Sequence, residues 1–393
     1  MFRSKPLVFM ALASSYFKDP RVLQEVKSLH KNNYPIYVLT WDREGLNSVY
    51  LSKGLVVKNM QFLQSKSFNK LIYMLSAVLF QLSIFTTGLN LLKKHRQIIL
   101  HINDFNTILG TVLLKIFFPN RIKTIYDSHE LTPAVYGEWY GQFFASITSK
   151  MEKIFMPFID QIITVSPPIE AYFKTITKKD IKIIWNYPTK EIIPDISKDQ
   201  AREILGLPKS AFIITYIGSL RIDIALSDLF YAMSILKEKI TDKDLLEKFK
   251  IIIVGDGPLY TEILSLREKL QLNDFISIVG HVDRIKSLTY MKAADLSYIL
   301  FTVKGLNTKI GMPWKLFESL ATNTPVLVLN NTYASKFIQQ YNAGFIIDKK
   351  DPKEIAEKLY QIVTQMDLLE IKTNKKFFWE NQEELFISVY NML

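Results

Sequence analysis

The sequence predicts an α/β protein built from two doubly wound domains, each with a parallel sheet. Strand-like apolar runs alternate with helical patterns along the whole chain of 393 residues, which is typical of repeated βαβ units. A polar stretch around Pro188 and Pro194 interrupts this alternation, and the 48% hydrophobic content is sufficient for two cores. We therefore expect domains at residues 1–190 and 191–375, with ligands at the carboxyl ends of their strands.

The apolar runs define the expected strands in chain order. The first follows a basic N-terminus and would also fit a weak signal peptide; we interpret it as a buried strand because a strand-to-helix transition follows at Ser14. The expected strands are Leu7–Ala13, Pro35–Thr40, Gln97–Ile102, Ile122–Tyr126, Gln161–Val165, Ile181–Ile184, Phe212–Ile217, Phe249–Val254, Phe275–Val279, Leu296–Leu300, Val326–Leu329 and Phe345–Ile347.

Charge and cysteine content narrow the class of partner. Residues 1–190 hold 24 Lys and Arg against 12 Asp and Glu, whereas residues 191–393 hold 25 against 26. A basic first half indicates a partner with an anionic surface, either a nucleic acid or a membrane. Because no nucleic-acid-binding module accompanies the basic residues, we predict no nucleic acid partner. The chain has no cysteine, which excludes disulfides, thiolate metal sites and cysteine nucleophiles and fits a reducing compartment.

Residues 71–92 form an uncharged, largely apolar segment in this basic half. Lys66 and Lys70 precede it, and Lys93, Lys94 and Arg96 follow it. Its length allows a membrane-spanning helix, its composition allows a buried core helix, and its weakly polar stripe fits a helix with one side in a lipid interface. We prefer the interfacial interpretation, which predicts an anionic membrane surface as a partner.

A short segment in the second half combines three features of a phosphate site. Gly311 to Pro313 precede a predicted helix that begins at Trp314, and Pro313 suits such a start because it lacks an N–H. Lys315 and Glu318 are spaced i, i+3 and share one face of the first turn. Unpaired N–H groups and a cation there suit a phosphate. The alternative is a surface ion pair between Lys315 and Glu318.

This segment resembles the donor motif P-x-K-x-F-E-x-x-A-x-x-x-P-V of family-4 retaining glycosyltransferases. The resemblance implies that Glu318 holds the ribose of a sugar nucleotide. It also implies the GT-B fold, in which two domains face a cleft and a C-terminal helix, here residues 376–393, returns to the N-terminal domain. Many members carry a second Glu that contacts the transferred sugar, and Ile310 occupies that position here.

Two glycine-containing loops extend the resemblance on the donor side. Gly255-Asp256-Gly257 follows an expected strand and resembles the family's V-G-D-G-P loop near the diphosphate. The same residues are equally compatible with a turn that has only a structural role. The run that contains His281 and Val282 resembles the G-x-V segment that holds the base. His281 is equally compatible with an exposed loop.

The family's usual cations are replaced at a third loop. In the family, the glycine at the position of Gly218 is usually followed by Arg or Lys, with a Lys six residues further on. In this chain, Ser219 and an alanine occupy those two positions. Arg221, together with the lysine of the donor motif, is our candidate for replacing them. The alternative is that Arg221 pairs with Asp223 or Asp228.

The first half carries three further matches. In the run Y-D-S-H-E-L, His129 would contact the transferred sugar or the donor phosphate. In H-x-x-D, Asp104 would lie in the acceptor cleft. At the first βα junction, Asp19 begins the run that resembles D-x-R-V, and Ser14 precedes it. Asp19 is equally suited to cap a helix.

Together these features predict a retaining, metal-independent hexosyltransferase with His129, Arg221 and Lys315 as its catalytic groups. It would need no cofactor beyond a nucleotide-diphosphate sugar as donor, and would act on a glycan or lipid-linked acceptor in cell-surface polysaccharide synthesis. We expect a cytoplasmic protein, peripheral on the inner face of the membrane. The alternatives are a sugar-nucleotide epimerase of the same fold and a catalytically degenerate scaffold.

Overall fold

A computed structural model describes residues 5–41, 48–62, 70–221, 224–301, 305–365 and 376–393, and for Lys70 its backbone only. The chain divides into two compact units, Met1–Trp185 with Gln382–Leu393 and Asn186–Asn381. We predicted the divisions at residues 190 and 376, so they lie about five residues from the expected positions.

The first unit is built on an eight-stranded sheet of order β3-β4-β2-β1-β5-β6-β7-β8, parallel except for the β3–β4 pair. Its strands are β1 (Leu7–Leu12), β2 (Ile36–Trp41), β3 (Ser48–Ser52), β4 (Leu55–Met60), β5 (Ile98–Asn103), β6 (Ile122–Ser128), β7 (Gln161–Thr164) and β8 (Ile181–Ile183). Its first six helices are α1 (Pro20–Lys31), α2 (Lys70–Lys94), α3 (Ile108–Phe117), α4 (Thr132–Tyr140), α5 (Gln142–Phe155) and α6 (Pro167–Ile176).

The second unit has a six-stranded parallel sheet of order β11-β10-β9-β12-β13-β14. Its strands are β9 (Phe212–Ile217), β10 (Phe249–Val254), β11 (Ile276–Gly280), β12 (Leu296–Ile299), β13 (Val326–Leu329) and β14 (Gly344–Ile347). Its helices are α7 (Lys198–Leu205), α8 (Leu226–Lys239), α9 (Lys243–Lys248), α10 (Tyr260–Lys269), α11 (Arg284–Ala293), α12 (Leu306–Ile310), α13 (Trp314–Ala321), α14 (Tyr333–Tyr341) and α15 (Pro352–Gln365).

Helix α16 (Glu383–Asn391) lies after the second unit in the chain but belongs to the first. Lys31 on α1 contacts Glu383 at 2.8 Å, and the hydroxyl of Tyr34 donates to Asn391 at 2.9 Å. Phe386 and Tyr390 are buried there. The predicted return of the C-terminal helix and the predicted pair of doubly wound parallel sheets are confirmed.

The β3–β4 hairpin is a supersecondary element that the apolar runs of the sequence do not predict. Gly54, with φ +77°, lies in its turn and uses a backbone conformation that glycine adopts without strain. All five residues of β3 are exposed, and its apolar run is only three residues long, shorter than most of the runs by which we recognised the other strands.

Helix α2 is long and apolar enough to cross a membrane by length and composition, the only such helix in the described part of the chain. One side packs into the core through Phe80, Ile84 and Leu92. Gly88 lies against α3, since a Cβ there would be 2.3 Å from Leu114. The opposite side exposes Leu71, Met74, Leu75, Val78, Leu79 and Leu82. The interpretation of α2 as a fully buried core helix is therefore wrong.

Candidate active site

The order of the second sheet changes direction between β9 and β12, and doubly wound sheets bind ligands at the carboxyl ends beside such a point. Three neighbouring strands end there in glycines with positive φ, Gly218 (+143°), Gly255 (+142°) and Gly280 (+81°). Gly218 N–H donates to the Val254 carbonyl at 2.9 Å, and Gly255 N–H donates to the Gly280 carbonyl at 2.8 Å. A Cβ on Gly255 would lie 1.9 Å from the Gly218 oxygen, so this close approach requires glycine.

Lys315 lies over this glycine turn. Its Nζ is 3.2 Å from the Tyr216 hydroxyl and 4.3 Å from the centre of the Tyr216 ring, with the Phe301 ring at 5.6 Å. A Cβ on Gly218 would be only 2.5 Å from the same Nζ. The ammonium group is therefore held by aromatic faces at the end of β9, and Lys315 itself lies in the first turn of α13.

Glu318 turns to different partners. Its Oε1 accepts hydrogen bonds from Arg284 Nη2 and Trp314 Nε1, both at 2.9 Å. The guanidinium of Arg284 also lies 5.6 Å from the centre of the Trp314 ring. Burial raises the pKa of Glu318, although Arg284 and Trp314 favour its charged form. Lys315 and Glu318 do not form the surface ion pair that was the alternative interpretation, because each side chain contacts other partners.

The other predicted donor residues lie around the same strand ends. Asp256 accepts the Gly257 N–H on Oδ1 at 2.7 Å. His281 is exposed, whereas Val282 packs against an apolar cluster of the second unit. Pro313 is the N-cap residue of α13. These residues lie close to one another in the chain's fold because they follow the ends of β10 and β11 or precede α13.

Ser219 and Arg221 follow β9 and are both exposed. The Ser219 carbonyl accepts a hydrogen bond from the Tyr216 hydroxyl at 2.7 Å. Of the two aspartates considered as partners of Arg221, Asp228 contacts Lys350 at 3.2 Å, and Asp223 lies outside the described residues.

The first sheet changes direction between β1 and β5, and the predicted acceptor-side residues lie at the carboxyl ends around this point. Asp104 follows β5 with φ +59°, an uncommon conformation for a residue with a side chain. Its Oδ1 accepts the His129 N–H at 2.8 Å, and its Oδ2 is 3.4 Å from His129 Nδ1. His129 Nε2 is 3.2 Å from Asp127 Oδ2, so the imidazole lies between two carboxyl groups.

Asp127 is the centre of a buried polar cluster. Arg21 contacts its carboxylate with Nε at 3.1 Å and Nη2 at 3.0 Å, and also contacts Glu25 at 2.9 Å. His101 Nε2 is 3.5 Å from Asp127 Oδ2. Glu25, His101 and Asp127 have the donor types and spacing of a metal site. They do not fit a cation, because the guanidinium of Arg21 already lies among them.

The charges in this cluster follow from burial and from neighbouring groups. Burial and the negative charge of Asp127 raise the pKa of Glu25 well above its usual range. Burial would raise the pKa of Asp127 too, but Arg21 and His129 hold it well below its usual range. Burial would lower the pKa of His129, yet Asp104 and Asp127 raise it to about 10. His129 is therefore an imidazolium at neutral pH.

Ser14 and Asp19 lie beyond the end of β1. Ser14 is exposed. Asp19 caps α1 by accepting the N–H groups of Arg21 at 3.1 Å and Val22 at 3.2 Å. The structure thus shows the capping role that the sequence analysis left open for Asp19.

Several residues of both sites escaped the sequence analysis. In the second unit these are Arg284, two positions after the predicted base-binding segment, and Tyr216, whose ring faces Lys315. In the first unit the hydroxyl of Tyr390, on α16, hydrogen-bonds His101 Nδ1. Of these residues, only Arg284 is indicated by a local sequence pattern, because it follows a helix-capping aspartate and therefore lies at the start of a predicted helix, α11.

The chain is similar to known proteins in sequence and in structure. The chain is 23% identical over 190 residues to the N-acetyl-alpha-D-glucosaminyl L-malate synthase of Bacillus anthracis, a match that covers 48% of this chain and 46% of that relative. The matched segment thus spans about half the length of the relative.

Two solved structures are similar over the full length. The sucrose-phosphate synthase of Thermosynechococcus elongatus has a TM-score of 0.77 at 15% identity, with 99% of both chains covered. Anabaena HepE in complex with UDP has a TM-score of 0.69 at 13% identity, covering 99% of this chain and 100% of that one. The predicted GT-B fold is confirmed. Residues 197–377 match the family model described as Glycosyl transferases group 1.

Proposed function

We propose that the protein is a glycosyltransferase that moves a hexosyl group from a nucleotide-diphosphate sugar to a glycan or lipid-linked acceptor, with retention and without a metal ion or cofactor. The observation that carries this proposal is the position of Lys315, above the glycine turn of Gly218 and on the same turn of α13 as Glu318. The match of residues 197–377 to the group 1 glycosyl transferases supports it, as does the similarity to a structure that holds UDP.

The chemistry of this site suits a departing diphosphate. In sugar transfer, the bond from the sugar to the diphosphate breaks and negative charge grows on the leaving oxygen. A cation and helix N–H groups that are already in place stabilise that charge in the transition state without reorganising. Lys315 supplies the cation, with exposed Arg221 as a second candidate. The Glu318 carboxylate, oriented by Arg284 and Trp314, accepts hydrogen bonds from the ribose hydroxyls.

On the first unit, we assign His129 to binding the transferred sugar or the donor phosphate and Asp104 to the acceptor. As an imidazolium, His129 donates hydrogen bonds and contributes positive charge, but it does not accept a proton at neutral pH. Its fixed position between Asp104 and Asp127 fits positioning and electrostatic stabilisation rather than base catalysis.

A lipid-linked acceptor is supported by the surface of the first unit. The exposed side of the N-terminal half of α2 is apolar, and the exposed bases Lys93, Lys94 and Arg96 lie at the C-terminal end of this helix and just after it. An apolar helix face with basic residues at its end binds the interface of an anionic bilayer. We therefore include an anionic membrane surface among the partners and place the protein on the inner face of the membrane.

Glu318→Ala tests the donor site. It removes charge-assisted hydrogen bonds to the ribose and should weaken binding of the matching nucleoside diphosphate by about 2–4 kcal/mol. The measurement is calorimetry with UDP, GDP and other nucleoside diphosphates, followed by turnover of the corresponding sugar nucleotides. The matched control is Glu247→Ala, an exposed residue of α9, which precedes β10 and so lies at the opposite edge of the sheet.

Three outcomes separate the alternatives. Equal affinity of the wild type and Glu318→Ala would remove Glu318 from the site. Binding without turnover of any sugar nucleotide would favour a degenerate scaffold. Interconversion of the sugar nucleotide without transfer would favour an epimerase.

A further inference from the structure

The connection between α4 and α5 exposes a cluster of aromatic side chains. Trp139 is 74% exposed, Phe143 71%, Tyr140 48% and Phe144 45%. Three of the rings contact each other, with centroids 5.8 Å apart for Tyr140–Phe144 and 5.6 Å for Phe143–Phe144. The turn at Gly141 adopts φ +92°, and a Cβ there would meet nothing within 4 Å. We call these four exposed residues the aromatic tip.

Basic residues continue the exposed side of α5. Ile147 and Ile154 are exposed at helical spacing from Phe143, and Lys150 and Lys153 are exposed between them. The acid of this helix is turned inward: Glu152 is fully buried and accepts hydrogen bonds from the hydroxyls of Tyr126 at 2.9 Å and Tyr172 at 2.7 Å. The outer side of α5 thus combines apolar side chains with positive charge.

The aromatic tip lies close in sequence and in space to the acceptor-side cluster. Helix α4 begins three residues after His129. The Tyr136 hydroxyl donates to the Asn106 side chain at 2.9 Å, and the Asn106 carbonyl accepts from Gln81 on α2 at 2.5 Å. Asn106 itself lies two residues after Asp104. These contacts join α4 to the helix that carries the exposed apolar face described above.

We propose that the aromatic tip inserts into the headgroup region of an anionic bilayer and holds the Asp104–His129 cluster at the height of a lipid-linked acceptor. Trp and Tyr rings are apolar with one polar edge and partition to that region. Lysines beside them attract anionic headgroups. This inference rests on the proposed lipid-linked acceptor, and it adds a second contact, distinct from α2, that orients the first unit.

The absence of cysteine allows a direct test. Phe143→Cys creates a unique attachment point for a polarity-sensitive fluorophore, and Leu51→Cys on β3, also 70% exposed, is the matched control. With phosphatidylglycerol vesicles, the label at position 143 should shift to the blue and gain intensity several-fold, whereas the label at position 51 should not change. A label at position 143 that remains water-exposed on vesicle-bound protein, or protein that does not bind vesicles, overturns the proposal.

A second pair of variants tests function without the fluorophore. The double variant Trp139→Ser/Phe143→Ser should weaken vesicle binding at least tenfold, whereas Val49→Ser/Leu51→Ser should bind as the wild type does. Both should retain wild-type affinity for UDP or whichever nucleoside diphosphate the wild type binds. Transfer to a lipid-linked acceptor should fall in the first variant only.

The outcomes distinguish this inference from the proposed function. Insertion of the aromatic tip in a protein that turns over no sugar nucleotide would leave the membrane contact of the tip standing and remove the proposed function, together with the role of the tip in reaching an acceptor. Transfer that proceeds normally with the tip removed would do the reverse. If the serine substitutions instead convert a dimer to a monomer with unchanged vesicle binding, the tip is a surface for self-association and the proposal is wrong.

Discussion

Replacing Arg21 by methionine should destabilise the first unit while leaving the second unchanged. Arg21 is 3% exposed and Asp127 is fully buried. The guanidinium makes three contacts of 3.0–3.1 Å with that carboxylate, and it donates from Nη1 to the Ile184 carbonyl at 2.8 Å. Methionine fills a similar volume but supplies no charge and no donor.

The expected magnitude follows from the charge that remains. Without Arg21, Asp127 shares one cation, the His129 imidazolium at 3.2 Å, with Asp104. Its neighbours His101 and Glu25 are neutral, because burial lowers the pKa of His101 and raises the pKa of Glu25. Removing one member of a buried pair costs about 3–5 kcal/mol, because the other charge stays buried and uncompensated. Since each 1.36 kcal/mol is tenfold, the unfolded population of this unit should rise by roughly 10²–10⁴ at neutral pH.

Hydrogen exchange followed by mass spectrometry measures this effect in each unit separately. Peptides from β1, β5 and β6 should exchange faster in Arg21→Met, and peptides from β9 and β10 serve as an internal control. Adding Asp127→Asn to Arg21→Met should restore much of the protection, since no charge is then left unpaired. Wild-type exchange of β6 in the single variant, or no recovery in the double variant, would refute the assignment of a buried ion pair.

Two further predictions concern the histidine and the glycine turn. Asp104→Asn should lower the pKa of His129 from about 10, visible by NMR titration. Because the folded-state pKa is raised, the stabilisation is complete below the ordinary histidine pKa and is lost as pH rises toward 10, so the variant and the wild type should converge in stability above that pH. Gly255→Ala should destabilise the second unit by several kcal/mol, because its Cβ would be 1.9 Å from the Gly218 oxygen at φ +142°. Gly206→Ala, at φ +65° with nothing within 4 Å, should cost only about 1 kcal/mol; equal thermal shifts for the two would contradict this explanation.

Local patterns in the sequence were sufficient for most elements of the fold. The apolar runs at Phe212–Ile217, Phe249–Val254 and Val326–Leu329 predict β9, β10 and β13 with their observed bounds. A buried parallel strand is apolar over nearly its whole length, so a run of consecutive apolar residues shows where it lies. The exposed β3 carries no such pattern, and for the same reason it was missed.

The candidate donor motif was also local, because Lys315 and Glu318 lie on one turn of one helix. Their partners were not: Tyr216 is 99 residues from Lys315, and Arg284 is 34 residues from Glu318. The sequence therefore predicts which groups lie at the site, whereas the fold decides which of them hold each other in place.

The buried cluster around Asp127 shows most clearly what the sequence alone does not predict. The sequence by itself determined that His129 and Asp104 follow strands of one parallel sheet, and hence that they lie at the same edge. Only the tertiary structure places Arg21 against Asp127, 106 residues away, and α16 against His101. Desolvation and ion pairing depend on groups brought together from distant parts of the chain, so the charge of His129 and the proton on Glu25 are properties of the fold rather than of the sequence around them.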